Sequence, residues 1–177
     1  SKWPEQYQSL LPSINSSLHR FCSISVREET GKYLLNSLFK LNSQVVLDPT
    51  LLHADYNEIT GSIVNNDEVI CYLLNRGKLQ LEKTIRLSRS LCKTPKMIST
   101  IRPTFGFRYV YPPSIENWIR YIAGAKFVIT DSFHGLAFSL IYNKQFVVIS
   151  PSNGKNSRLK DLLKSVGLED RYFDEND

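Results

Sequence analysis

The chain has 177 residues, 42% of them hydrophobic and 22% charged. That balance excludes intrinsic disorder and provides for one good core, or one core plus part of another. A net charge of +5 and a pI near 9.1 suit an anionic partner. The Lys and Arg residues are spread along the chain without an aromatic-basic motif, which argues for small anions over nucleic acid.

The start, SKWPEQ, has neither the basic nor the apolar region of a signal peptide, and no apolar run reaches transmembrane length, so a soluble protein is expected. Alternating short apolar runs and helical patterns then follow. Residues 21–26 read as a strand and residues 28–41 as a helix, with Tyr33, Leu34, Leu35, Leu38, Phe39 and Leu41 on its apolar side. A second strand at 44–47 is stopped by Asp48 and Pro49, completing a β-α-β unit. Periodicity is lost over 53–68, which reads as a linker.

The pattern resumes with a strand at 68–74, a helix at 78–92 and a strand at 96–100. A polar and aromatic loop runs to Pro113, and a helix at 114–123 follows, with Ser114 as its N-cap and Glu116 in the first turn. Then come a strand at 126–130, a helix at 132–142, a strand at 145–150 and a helix at 157–166. Strands alternating with helices at this spacing predict an α/β fold, a Rossmann-like parallel sheet with helices on both faces. The expected organisation is 1–52 as one unit, 53–67 as the linker and 68–177 as the sheet domain.

Cys22, Cys71 and Cys92 are odd in number, lack C-x-x-C spacing and lie in or beside apolar runs, so they read as reduced core residues of a cytosolic protein. His19, His53 and His134 have no metal-ligand spacing with them, and structural zinc is not expected.

In open α/β sheets ligands gather beyond the carboxyl ends of the strands. Four segments fall there: Arg27 to Glu29, Asn75 to Gly77, Asp131 to His134, and residues 152–158. In the third, an apolar strand runs into a helix that is apolar nearly all round, so the polar chemistry is confined to the turn between them. A helix N-terminus offers free N–H groups and a positive dipole end, and a small oxyanion is expected against the N–H groups of Ser132 to Gly135, beside His134.

Asp131 and Ser132 read equally well as N-caps and as ligand contacts, and Gly135 leaves room for a close neighbour or a ligand. Lys155 and Arg158, flanking Asn156 and Ser157, suit phosphate or carboxylate but also any solvated turn. Arg27 reads as a ligand residue or as an exposed helix start, and Arg76 reads as a turn residue.

At these residues the chain resembles a known family. The run FVITDSFHGLAFSL (127–140), with FVVI (146–149), NSR (156–158) and LLKSVGL (162–168), is similar to the C-terminal part of the polysaccharide pyruvyl transferases. ISVRE (24–28) and VLDPTLL (46–52) resemble the segments that precede it, so the likeness runs from about residue 21 to 173.

The resemblance implies the C-terminal half of a glycosyltransferase-B-like fold preceded by a β-α-β remnant of the N-terminal half, with most of that half absent. It implies transfer of a pyruvyl group from phosphoenolpyruvate to a sugar of a bacterial surface or capsular polysaccharide, forming a ketal and releasing phosphate. It also implies a chain inactive by itself. Phosphoenolpyruvate enters as donor substrate, and no cofactor or metal is implied. His134 matches the family's histidine and Arg27 its strand-end arginine, and these two are the implied catalytic residues. Lys155 matches its loop cation, with Arg158 as substitute. Asp131, Ser132, Phe133, Gly135, Lys155, Asn156, Ser157 and Arg158 are the implied substrate contacts.

The implied partners are phosphoenolpyruvate and a glycan acceptor, lipid-linked or free, with no nucleic acid. The implied location is the cytoplasm, including the inner face of the membrane. Two alternatives stand beside this reading. One is a nucleotide-sugar glycosyltransferase of the same architecture, for which no ribose-binding acid stands out. The other is a non-catalytic carbohydrate-binding domain.

Overall fold

In a sheet covered on both faces, successive residues of one strand must supply two different cores, so a central strand is apolar without interruption. Val69–Tyr72 shows this: Val69 and Cys71 belong to one buried cluster and Ile70 to the other. The computed structural model describes residues 5–53, 55–99, 106–111, 114–151 and 157–174. It divides into two compact units, residues 1–48 and 49–177.

In the first unit a 3-10 turn, Glu5–Leu10, leads into α1 (Leu11–Leu18). The expected β-α-β unit follows as β1 (Ser25–Val26), α2 (Glu29–Phe39) and β2 (Gln44–Val45), the strands parallel with Val26 opposite Val45. Just beyond the two strand ends, Arg27 forms an ion pair with the buried Asp48. Apolar side chains of this unit reach solvent, among them Val45, Val46 and Leu47.

The second unit opens with two short helices, α3 (Pro49–Leu52) and α4 (Asn57–Thr60). The chain continues through β3 (Val69–Tyr72), α5 (Lys78–Ser90), β4 (Lys96–Ile98), β5 (Arg108–Val110), α6 (Ile115–Gly124) and β6 (Phe127–Thr130). Next are α7 (Phe133–Ile141), β7 (Gln145–Ile149), α8 (Ser157–Ser165), a 3-10 turn at Glu169–Arg171 and β8 (Tyr172–Phe173). The six strands pair in parallel in the order β5-β4-β3-β6-β7-β8.

Alternation along the strands sets the packing. Ile70, Val128, Phe146 and Val148 join residues of α6, α7 and α8 in one core. Cys71, Ile129, Val147 and Ile149 face the other way, toward Leu81 and Leu87 of α5. On α5 the stripe Gln80, Thr84 and Ser88 is buried, and the two hydroxyls donate back to the carbonyls four residues earlier, at 2.8 Å each. Polar residues can face a sheet in this way because their groups are satisfied on their own helix.

Charge collects at the amino ends of the strands. Glu68 pairs with Lys96 at 2.5 Å and with Arg108 at 3.1 Å, and Asp67 pairs with Lys126 at 2.7 Å and with Lys93. The four cations outnumber the two carboxylates they pair with, and the group lies at the opposite end of the sheet from the carboxyl ends of the strands, where the ligand crevice of such sheets lies.

Several expectations change. The units divide at Asp48, four residues before the expected 52, and the segment expected as a linker packs on the sheet domain. Tyr56 lies against Phe138 with ring centroids 4.8 Å apart, Thr60 is fully buried, and the Asn66 N–H donates to the Gly124 carbonyl at 2.8 Å. Cys71 is a core residue, but Cys22 and Cys92 are exposed: the strand expected from residue 21 begins only at Ser25, leaving Cys22 ahead of it in an exposed stretch, and Cys92 follows the end of α5. Burial pushes the Cys71 thiol above its ordinary pKa.

Candidate functional site

Strand order reverses between β3 and β6. From β3 the chain builds outward through β4 and β5, and from β6 it builds the other way through β7 and β8. Such a switch point leaves a crevice at the carboxyl ends, since the loops leaving the two adjacent strands turn in opposite directions. Tyr72 and Thr130 are the paired last residues of these strands.

Side chains fix both loops. The Thr130 hydroxyl donates to the Tyr72 carbonyl at 2.7 Å and accepts the Ser132 N–H at 3.0 Å. The Asp131 carboxylate is buried and accepts from the backbone N–H of Leu74 at 2.6 Å and of Asn75 at 2.7 Å, and from the Asn75 side-chain amide at 2.9 Å. Asp131 is therefore not the N-cap of α7. It ties the loop after β3 to the turn after β6.

Ser132, in extended conformation, is the N-cap of α7, its hydroxyl accepting the Gly135 N–H at 3.4 Å. The space a side chain would need at Gly135 is occupied, because a Cβ there would lie 2.2 Å from the Thr130 hydroxyl oxygen. Gly135 thus admits a strand residue of the same unit rather than a ligand. With the Ser132 and Gly135 N–H groups engaged, the expected anion site narrows to the N–H groups of Phe133 and His134, which have no acceptor among the described residues. His134 itself is exposed, in the first turn of a helix that is otherwise buried from Gly135 to Ser139.

His134 opens onto a cavity of about 690 Å³ over the ends of β3 and β4. Tyr72, Trp118 and Phe138 make an aromatic wall, the Trp118 ring edge-on to both others at centroid distances of 5.1 and 5.3 Å. Arg76 and Ser99 line the same cavity, and the Arg76 guanidinium donates to the Ser99 hydroxyl. Burial, with the nearby Asp131 carboxylate adding to it, raises the Tyr72 phenol above its ordinary pKa, so it stays a neutral hydrogen-bonding group at physiological pH.

The other expected residues fall in different places. Phe133 is half-buried and lies under Arg158, whose guanidinium carbon is 4.6 Å from the ring centroid, and this brings one cation beside the first turn of α7. Ser157 is exposed at the start of α8. Lys155 and Asn156 lie outside the described residues. Arg27 belongs to the first unit, where it pairs with Asp48. Among the described residues, no three His, Cys, Asp or Glu side chains are grouped to hold a metal, and no helix is long and apolar enough to cross a membrane.

A sequence model of the polysaccharide pyruvyl transferases matches residues 3–153. The chain belongs to the polysaccharide pyruvyl transferase family. The match takes in β1 through β7, with Arg27 and His134 inside it, and stops before α8. A search of curated proteins finds no match. Among solved structures the chain is similar to the E. coli heptosyltransferase WaaC with ADP, at 16% identity and a TM-score of 0.36. That similarity covers 59% of this chain and 46% of the heptosyltransferase chain, so the chain spans less than half of it.

In this pyruvyl transferase family member Arg76, which the sequence presents as a turn residue, lines the cavity. Its loop stands out as a strand-end segment, but only pairing of β3 with β4 brings Ser99, 23 residues on, within reach of the guanidinium. The aromatic wall gives no earlier signal either, since Tyr72 and Trp118 sit on a strand and a helix whose periodicity already accounts for them.

Proposed function

We propose that this chain carries the donor-binding half of a polysaccharide pyruvyl transferase, which moves the pyruvyl group of phosphoenolpyruvate onto two hydroxyls of a glycan and releases phosphate. One observation carries the reading: His134 stands exposed on the first turn of α7, beside two N–H groups without acceptors among the described residues, on a cavity at the switch point of the sheet. The helix end suits the phosphate, because open N–H groups and the helix dipole both favour an anion there, and Arg158 adds charge on the same side.

The chemistry needs a proton to move. The enol methylene takes up a proton, C2 becomes electron-poor, and one sugar hydroxyl adds there as its own proton departs. A second hydroxyl then displaces phosphate, the C2–O bond to phosphate breaking as the hydroxyl's proton passes to the departing phosphate, and the ketal closes. His134 is the group placed to carry these protons, since an imidazole has one nitrogen that can accept a proton and one that can donate. Asp131 contributes by holding the loop of Leu74 and Asn75 still, and this keeps the cavity's floor in one geometry.

The same reading has the chain acting with further sequence. A parallel pair of strands covers neither of its own faces, and Val45, Val46 and Leu47 of the first unit remain exposed, as expected where more of a sheet would pack. On this reading the 177-residue chain binds phosphoenolpyruvate weakly and does not transfer pyruvate.

The test is to incubate a longer form that includes the N-terminal half with phosphoenolpyruvate and candidate glycans. Phosphate release and ketal formation by mass spectrometry are followed together. Phosphate release without ketal, or turnover with nucleotide sugars in place of phosphoenolpyruvate, contradicts the proposal.

A further inference from the structure

A second cavity, of about 420 Å³, lies between α6, residues 62–66 and the end of β5, and it shares no lining residue with the one beside His134. Gly124 lets residues 62–66 come close to α6, because a Cβ there would lie 2.6 Å from the Val64 carbonyl oxygen. Three planar polar side chains line the cavity, each bonded to the protein on one side. Arg120 donates from Nε to the Thr60 carbonyl at 2.6 Å and from Nη1 to Oδ1 of Asn117 at 2.9 Å. Asn66 accepts the Glu68 N–H on its own Oδ1 at 3.1 Å. These bonds orient the three groups and leave Nη2 of Arg120 and the amide nitrogens of Asn66 and Asn117 without acceptors among the described residues. The Glu116 carboxyl, one turn earlier, is held below its ordinary pKa first by the Ser114 hydroxyl and to a lesser degree by Arg120, but it makes no ion pair with Arg120.

Two rings complete the cavity, Tyr121 and Tyr111, the latter 71% exposed. A pyranose has matching surfaces: an apolar C–H face that packs on a ring, and an edge of oxygen atoms that accept from N–H donors. No Asp or Glu is among the described lining residues while Arg120 brings a cation, so the best-matched edge carries a carboxylate. We propose that this cavity binds one carboxylate-bearing sugar unit of a glycan, with Arg120 and Asn117 holding the carboxylate and Tyr111 the ring face. The inference goes beyond the donor-binding reading and does not depend on it. Such a contact keeps a polymeric acceptor on the protein and raises its local concentration at the other cavity.

Ligand-observed NMR on the 177-residue chain tests this with three probes: glucuronate, glucose and inorganic phosphate. Glucuronate is expected to bind about 10-fold or more tighter than glucose, as for one charged hydrogen bond. Arg120→Gln should abolish that preference. Tyr111→Ala, at an exposed side chain, should weaken both sugars by about threefold or more. His134→Gln should leave both within about twofold, because it lines the other cavity. Displacement of glucuronate by phosphate at equal concentration, with no effect of Tyr111→Ala, marks a plain anion site and overturns the proposal.

Arg120→Gln also gives up the bond to Thr60. Should it fold poorly, Asn117→Ala, at an exposed position, provides the second readout, with a smaller loss of the same preference expected. Unchanged glucuronate affinity in Arg120→Gln, or in Asn117→Ala when that is the variant that folds, overturns the subsite, as does absence of glucuronate binding by the wild-type chain. Loss of glucuronate binding in His134→Gln places the sugar in the other cavity and overturns it too. Glucuronate binding through Arg120 and Tyr111, with no ketal formed by the longer form, keeps this subsite and removes the pyruvyl-transfer reading.

Discussion

Asp131 holds Asn75 by two bonds to one oxygen, Oδ2 accepting from the backbone N–H at 2.7 Å and from the side-chain amide at 2.9 Å, across 56 residues of sequence. Together with the bond from the Leu74 N–H, this joins the two strand ends between which the candidate site opens. A buried carboxylate with three donors is worth more than an exposed one, because removing it takes one shared acceptor from three part-buried donors at once.

Asp131→Ala is therefore expected to cost about 3 kcal/mol of stability in urea unfolding. Asp131→Asn should cost somewhat less, since its carbonyl keeps one acceptor. A cost under about 1 kcal/mol would mean that the loop after β3 is not held by this residue.

Gly135→Ala is expected to destabilise by about 1–3 kcal/mol, as an overpacked contact against the Thr130 hydroxyl. Thr130→Ala removes the obstructing atoms at the cost of two hydrogen bonds. The double variant should then be more stable than the sum of the two single losses, with a coupling of about 1 kcal/mol. Strict additivity would place the clash elsewhere.

The Asp67 carboxyl, held by Lys126 and then Lys93, lies well below its ordinary value, at about 2. Its folded-state pKa is depressed, so its contribution to stability is present above the unfolded value of 3.8 and is lost as pH falls from there toward 2. Carboxyl NMR titration should find the low midpoint, and Lys126→Ala or high salt should move it up, as for an exposed pair. A midpoint near 3.8 in the wild type would remove this pairing from the account.

Legibility in the sequence follows the range of the interactions. The helix after 130 and the position of His134 in its first turn are local matters of periodicity, and they can be read directly, whereas the choice of Ser132 over Asp131 as the cap cannot. The β-α-β unit and the strands flanking residues 78–92 are legible for the same reason. By contrast β5, only Arg108–Val110, is part of a polar and aromatic stretch, and it is a strand because β4 pairs with it. Residues 53–67 lack periodicity because Tyr56 and Thr60 are fixed by distant partners, Phe138 and Arg120. Asp131 resembles a helix cap until its partners, 56 and 57 residues away, are known. Arg76 resembles a turn residue until β4 delivers Ser99.

On the proposed function, His134 handles protons at this site and does little for the fold. The most direct measurement compares His134→Gln with wild type in the longer, transfer-competent form, scoring ketal formation from phosphoenolpyruvate beside urea unfolding. The side chain is exposed, so stability should stay within about 0.5 kcal/mol. Turnover should fall by about 10²- to 10⁴-fold, as for loss of a general acid or base. A folded variant that forms ketal at the wild-type rate would contradict it.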